Sequence, residues 1–155
     1  YTRAYNIEVL QNKHGVFIME HLAVVADTVQ KIIDIELTWK IDETGKIIAS
    51  MEAQKDEEFP DLPRFGIRLF LDKKFEDVAY YGMGPHESYR DKHQATSHGI
   101  YRSKVTDLHE DYIRPQENGS HYDCDYVELT NAQYGFAIVS EDSFSYTGSI
   151  GADGA

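Results

Sequence analysis

The stretch Ile33-Asp34-Ile35-Glu36-Leu37-Thr38-Trp39-Lys40-Ile41 alternates apolar and polar residues without a break. Successive strand side chains face opposite ways, so this order turns Ile33, Ile35, Leu37, Trp39 and Ile41 to one side and the polar residues to the other. A helix would scatter the same apolar residues around its circumference. Glu43-Thr44-Gly45 then supplies a turn whose glycine tolerates positive φ. Alternation resumes at Ile47, Ala49, Met51 and Ala53. Two such runs around a short Gly-containing loop predict an antiparallel hairpin.

Strand patterns recur on both sides of it. Upstream, residues 5–10, 16–20 and 22–32 read as shorter strands, the last with a pattern that leaves room for a turn. Downstream, the acidic run 55–61 with Pro60 and Pro63 reads as an exposed connection. Strand character returns at 66–71, 75–81, 121–129 and 135–139. Between Gly82 and Gly119 periodicity is poor, and a structureless connection of that length is unusual in a compact domain. The segment therefore hides a strand, near 97–101, or forms a functional loop. After Ser140 the pattern fades, and 146–155 reads as a weakly ordered tail. The whole predicts an all-β chain: one partial antiparallel β-sandwich over residues 1–155.

Composition narrows the function. The 155 residues carry 27 Asp plus Glu against 15 Lys plus Arg, a net charge of −12. That charge repels phosphate backbones and anionic membrane surfaces, and Lys73-Lys74 is the only adjacent basic pair. No apolar run approaches the ~20 residues that span a bilayer. Tyr1 stands where an initiator methionine would, which leads us to expect a processed or excised segment. Cys124 alone forms no internal disulfide and leaves the compartment open, the cytoplasm being slightly favoured.

The densest polar chemistry lies in Tyr81-Gly82-Met83-Gly84-Pro85-His86-Glu87-Ser88-Tyr89-Arg90-Asp91. Gly82, Gly84 and Pro85 specify a constrained turn that presents Glu87, Tyr89 and Asp91. Carboxylates that accept hydroxyl hydrogen bonds, with rings that supply apolar faces, suit sugar recognition. The alternative is structural: Glu87 and Asp91 cap turns or pair with Arg90, Arg102 or Arg114. A second polar centre is Arg114-Pro115-Gln116-Glu117-Asn118-Gly119, where Glu117 is the one internal carboxylate available to partner Glu87 in acid–base chemistry. His121, Asp123 and Asp125 would share one face of a simple strand, with Cys124 opposite as a core thiol. Neither they nor the loose set His86, Asp91 and His93 has the donor spacing of a zinc or calcium site.

The run from Tyr81 to Lys92 resembles a hallmark of large multidomain β-galactosidases of glycoside hydrolase family 2. Arg114 to Gly119, followed by Asp123 and Val127-Glu128-Leu129-Thr130, resembles a second hallmark of the same domain, and Leu62-Pro63-Arg64-Phe65-Gly66 a third. The resemblance, over about 23–145, implies the final domain of these enzymes, a galactose-mutarotase-like supersandwich that some relatives carry as a separate small subunit. Here it would be incomplete at both ends. It further implies that the acid–base and nucleophilic glutamates lie on the catalytic barrel domain, so no catalytic residue is assigned in this chain. The barrel, or large subunit, is the implied partner, and the parent's β-galactoside the implied substrate. Some members use Mg2+ and Na+; these residues identify no ligand for either.

Three departures stand out: Tyr81, Lys92 and Asp125 occupy places where tryptophan, arginine and arginine are common in the family. On this reading Tyr81, Glu87, Tyr89, Asp91, Arg114 and Glu117 are binding or interface candidates. Gly82, Gly84, Pro85, Asn118 and Gly119 shape the loops. The competing readings are a stand-alone galactoside-binding module, supported if Tyr81, Tyr89 and Glu87 form a shallow accessible cluster, and a mutarotase-like enzyme, which needs a buried acid–base pair from the histidines between His86 and His121.

Overall fold

The computed structural model describes residues 1–27, 30–114 and 116–149. Nearly all regular structure in it is antiparallel strand, arranged as two open four-stranded sheets, consistent with an incomplete β-sandwich. The chain divides into two compact units, Tyr1–Ile67 and Arg68–Ala155.

The first unit holds β1 (Thr2–Asn12), β2 (Gly15–Val25), β3 (Lys31–Ile41) and β4 (Ile47–Lys55), ordered β1-β2-β3-β4. The predicted hairpin is the β3–β4 pair, in unbroken register from Ile33↔Lys55 to Ile41↔Ile47. Its turn is built by Asp42, whose Oδ1 accepts the Thr44 N–H at 2.9 Å, the Thr44 hydroxyl at 2.6 Å and the Lys46 N–H at 3.1 Å. Gly45 takes φ +84°, which a glycine adopts without a Cβ clash. Register carries one apolar row across the sheet: Val9, Ile18, Trp39 and Ala49 stand side by side. Ile33, Ile35 and Leu37 are buried, packed with Leu22, Val24, Ile32 and Trp39. Ile7, Val9, Ile47 and Met51 of the outer strands remain exposed.

Several boundaries differ from those read in the sequence. Residues 16–20 and the start of 22–32 form one strand, β2, which ends at Val25. Thr28 and Val29 lie outside the described residues, and Lys31 and Ile32 already open β3. Residues 66–71 form no strand, and Ile67, Leu69 and Leu71 are exposed. Alternation gives a segment two faces but no pairing partner, and without a ladder the pattern is not realised as strand.

The second unit holds β5 (Asp77–Gly84), β6 (Ser97–Lys104), a 3₁₀ turn (Val105–Leu108), β7 (Ser120–Thr130) and β8 (Gly135–Thr147), ordered β6-β5-β7-β8. The strand hidden in the long aperiodic segment is β6. Val78, Tyr80, Val105, Leu108, Cys124 and Val127 form the core, with Phe144 and Tyr146 packed against it. Of the stretch read as tail, Tyr146 and Thr147 stand in β8, and 150–155 lie outside the described residues. β7 is not a simple strand: its register shifts on both sides of Cys124, and Asp123 takes φ +54°. The bulge puts His121 and Cys124 both in the interior, so strict alternation from His121 to Asp125 fails.

Candidate functional site

Gly82 and Gly84 lie within β5 and not in the turn that follows. A Cβ at Gly82 would run into Cys124, whose Cα would lie 3.0 Å away, and one at Gly84 would meet the Tyr80 hydroxyl and the Tyr101 ring. The glycines therefore leave room beside the β5 backbone for Cys124 of β7 and for the Tyr80 and Tyr101 side chains. The chain turns at the cis Gly84–Pro85 bond, and Ser88 ties the turn down. The Ser88 N–H donates to the Ser120 carbonyl at 2.7 Å, its hydroxyl donates to the Met83 carbonyl at 3.1 Å, and its oxygen accepts the Tyr122 N–H at 2.8 Å.

This frame delivers Glu87 to the centre of a buried clasp. One carboxylate oxygen accepts the Lys92 ammonium at 2.6 Å and the Tyr112 hydroxyl; the other accepts the Gly119 N–H at 3.0 Å and the Tyr89 hydroxyl at 3.3 Å. Lys92 also donates to the Tyr112 oxygen at 2.6 Å. One carboxylate thus joins the loop after β5, the segment after the 3₁₀ turn and the start of β7. Burial opposes its ionisation, but Lys92, the Gly119 N–H and Tyr89 outweigh burial and hold the carboxyl below its ordinary range. Burial, then the Glu87 charge, pushes the Tyr89 phenol up to about 12, and Glu117 adds to the push.

Of the residues singled out in the sequence, Glu87, Tyr89 and Gly119 meet in this clasp. Glu87 takes Lys92 as its cation, not an arginine. Asn118 sits beside the clasp, its Oδ1 accepting the Glu110 N–H at 3.3 Å. Asp91, Arg114 and Glu117 are exposed, and Pro115 lies outside the described residues. Tyr81 stands apart on β5, edge-on to His98 with ring centroids 4.4 Å apart. His98 bonds the Asp123 carbonyl at 2.9 Å, with the Asp125 carboxylate at 3.9 Å. Sequence reasoning missed Tyr112 and Lys92. Lys92 lies in the same motif as Glu87, but nothing local marks Tyr112, which reaches Glu87 across 25 residues.

Beneath the clasp, Tyr80, Tyr101, His121 and Tyr146 form an aromatic cluster, with His121 and Tyr146 stacked at 5.2 Å. His121 is 1% exposed, and burial pushes its imidazole below the ordinary histidine value. Its Nδ1 faces the Met83 carbonyl at 3.4 Å; its Nε2 and the Tyr146 hydroxyl have no hydrogen-bond partner among the described residues.

A general acid needs a carboxyl held up towards neutral pH and open to the leaving group. Glu87 is held down and engaged on both oxygens, the arrangement of a structural anchor. Among the described residues, no three His, Cys, Asp or Glu side chains are placed together to hold a metal ion. Among the described residues, no helix is long and apolar enough to cross a membrane.

A family model described as the β-galactosidase small chain matches residues 2–149. The chain is 40% identical over 131 residues to a β-galactosidase of Actinobacillus pleuropneumoniae, covering 84% of this chain and 13% of that protein. It is 35% identical over 145 residues to a β-galactosidase of Staphylococcus xylosus, covering 94% of this chain and 15% of that protein. The chain thus spans about one seventh of the length of these curated relatives.

Proposed function

The chain belongs to the β-galactosidase small-chain family, and from that premise we propose that it is a noncatalytic accessory segment that buttresses the catalytic barrel of a parent β-galactosidase. The whole chain acts as one partial domain of that parent. The parent hydrolyses terminal β-galactosides with retention, through a glycosyl-enzyme intermediate, using two carboxyl groups on its barrel. Any Mg2+ or Na+ it uses is bound outside these residues.

The observation that supports this reading best is the state of Glu87. Its carboxylate is buried, ionised and spent on Lys92, Tyr112, Tyr89 and Gly119. Such a group fixes the shape of two long loops and so presents a constant surface to a neighbour. The exposed side chains those loops carry, Asp91, Arg114 and Glu117, together with Tyr81 on β5, are the interface candidates. The barrel domain, or a large subunit in enzymes assembled from two chains, is the partner.

Complementation tests the proposal. A parent enzyme deleted for these residues is mixed with the purified chain, and hydrolysis of a chromogenic β-galactoside is followed. The accessory role predicts activity that rises and saturates with added chain. A deletion enzyme as active without the chain as with it would refute the role.

A further inference from the structure

The segment after the 3₁₀ turn and the second sequence motif enclose an open cleft of about 220 Å³, lined by His109, Glu110, Asp111, Tyr112, Gln116 and Asn118. We propose that this cleft is a binding site for a single neutral sugar ring. The inference goes beyond the accessory role and does not depend on it.

Three features carry it. First, the part of the wall formed by Tyr112 and Asn118 is braced independently of any ligand. Asn118 Oδ1 accepts the Glu110 N–H at 3.3 Å, its Nδ2 donates to the Gln116 carbonyl at 3.4 Å, and the Tyr112 hydroxyl is fastened to Glu87. Tyr112 therefore offers the cleft its ring and not its hydroxyl. A preformed site is spared the cost of ordering its walls on binding.

Second, the lining has the chemistry of hydroxyl recognition. Glu110 and Asp111 supply acceptors, the exposed Gln116 amide both donates and accepts, and the Tyr112 ring is an apolar surface for C–H groups. His109 Nε2 lies 3.3 Å from the Asp111 carboxylate, and both side chains are exposed. Two carboxylates on a chain of net charge −12 disfavour phosphates and carboxylates as ligands. Third, the volume is below the roughly 300–1,000 Å³ typical of pockets for drug-sized ligands and suits contact with one ring. The loop that presents Glu87 was the place where the sequence suggested sugar chemistry, but Glu87 is buried and occupied. The accessible polar groups are in the neighbouring cleft.

The test is amide NMR of the full chain titrated separately with galactose, glucose, mannose and CaCl2. The proposal predicts saturable shifts at residues 109–112 and 116–118 with at least one hexose, at millimolar concentration. Glu110→Gln combined with Asp111→Asn should weaken that binding about tenfold while the rest of the spectrum stays folded. Should the double variant lose its dispersed spectrum, Gln116→Ala, at an exposed position, is expected to weaken binding in the same direction. Absence of saturation with every hexose, shifts unchanged in a folded variant, or a response to calcium alone would overturn the proposal. The complementation assay reads restored hydrolysis by the deleted parent, whereas the titration reads binding to this chain alone, so the two readings fail separately.

Discussion

The Glu87 carboxylate accepts the backbone N–H of Gly119 at 3.0 Å, a bond that spans 32 residues of chain. Gly119 itself takes φ +71°, and a Cβ there would run into the Leu108 carbonyl. One side chain and one glycine therefore pin the loop after β5 to the start of β7.

Removing the anchor should cost more than removing its cation. Glu87→Ala leaves the buried Gly119 N–H and the Tyr89 hydroxyl without their acceptor, and we expect a loss of about 1–3 kcal/mol. Lys92 is more than half exposed, so Lys92→Met should cost no more than about 1 kcal/mol. Urea denaturation of the two variants distinguishes these outcomes. Equal losses would mean that the ion pair, and not the buried acceptor, holds the loops.

Acid should loosen the second unit in two stages of the same sign. Burial pulls His121 below its ordinary 6.5, so as pH falls below that value the unfolded chain takes up the proton first. Stability is then full above 6.5 and declines as pH falls towards the folded-state value. Glu87, held below its ordinary 4.5, adds a second decline beneath that pH. The urea midpoint should fall through both windows, and His121→Phe should flatten the upper one. A midpoint that rises on acidification through the upper window would contradict the assignment.

Close packing of β5 on β7 predicts that Gly82→Ala is destabilising by about 1–3 kcal/mol through overpacking. The added methyl meets Cys124 Sγ first and its Cα, at 3.0 Å, next. Cys124→Ala in the same chain should therefore recover part of the loss but not all. Thermal unfolding of the single and double variants provides the measurement, and full additivity would show that the two sites do not touch.

The same burial makes the Cys124 thiol inert. It is fully buried, and burial, followed by the charges of Asp123 and Asp125, pushes its pKa up to about 12. Thiolate is the reactive form. Iodoacetamide at mildly alkaline pH should leave the folded chain unmodified and label it only after denaturation. Rapid labelling of the native protein would place the thiol on the surface.

What could be read in the sequence, and what could not, follows from the range of the interactions. The β3–β4 hairpin was legible because alternation and the Asp42–Gly45 turn are local. Glu87 was legible as a special residue because its motif is contiguous. Its partners were not, since Tyr112 and Gly119 reach it from 25 and 32 residues away. The bulge at Asp123 was invisible for a related reason: nothing local announces the extra residue, and alternation read through it exchanges faces. Residues 66–71 failed in the opposite direction, since a strand pattern does not by itself supply a strand to pair with. The polar, ragged end of β8 hid Phe144 and Tyr146, which complete the core from a stretch with little periodicity.

The most direct test of the accessory role is hydrolysis of a chromogenic β-galactoside by the purified, folded chain alone, with Glu87→Gln combined with Glu117→Gln as control. The account predicts no turnover above buffer from either protein. Turnover by the chain that disappears in the double variant would place a catalytic carboxylate pair within these residues and contradict it.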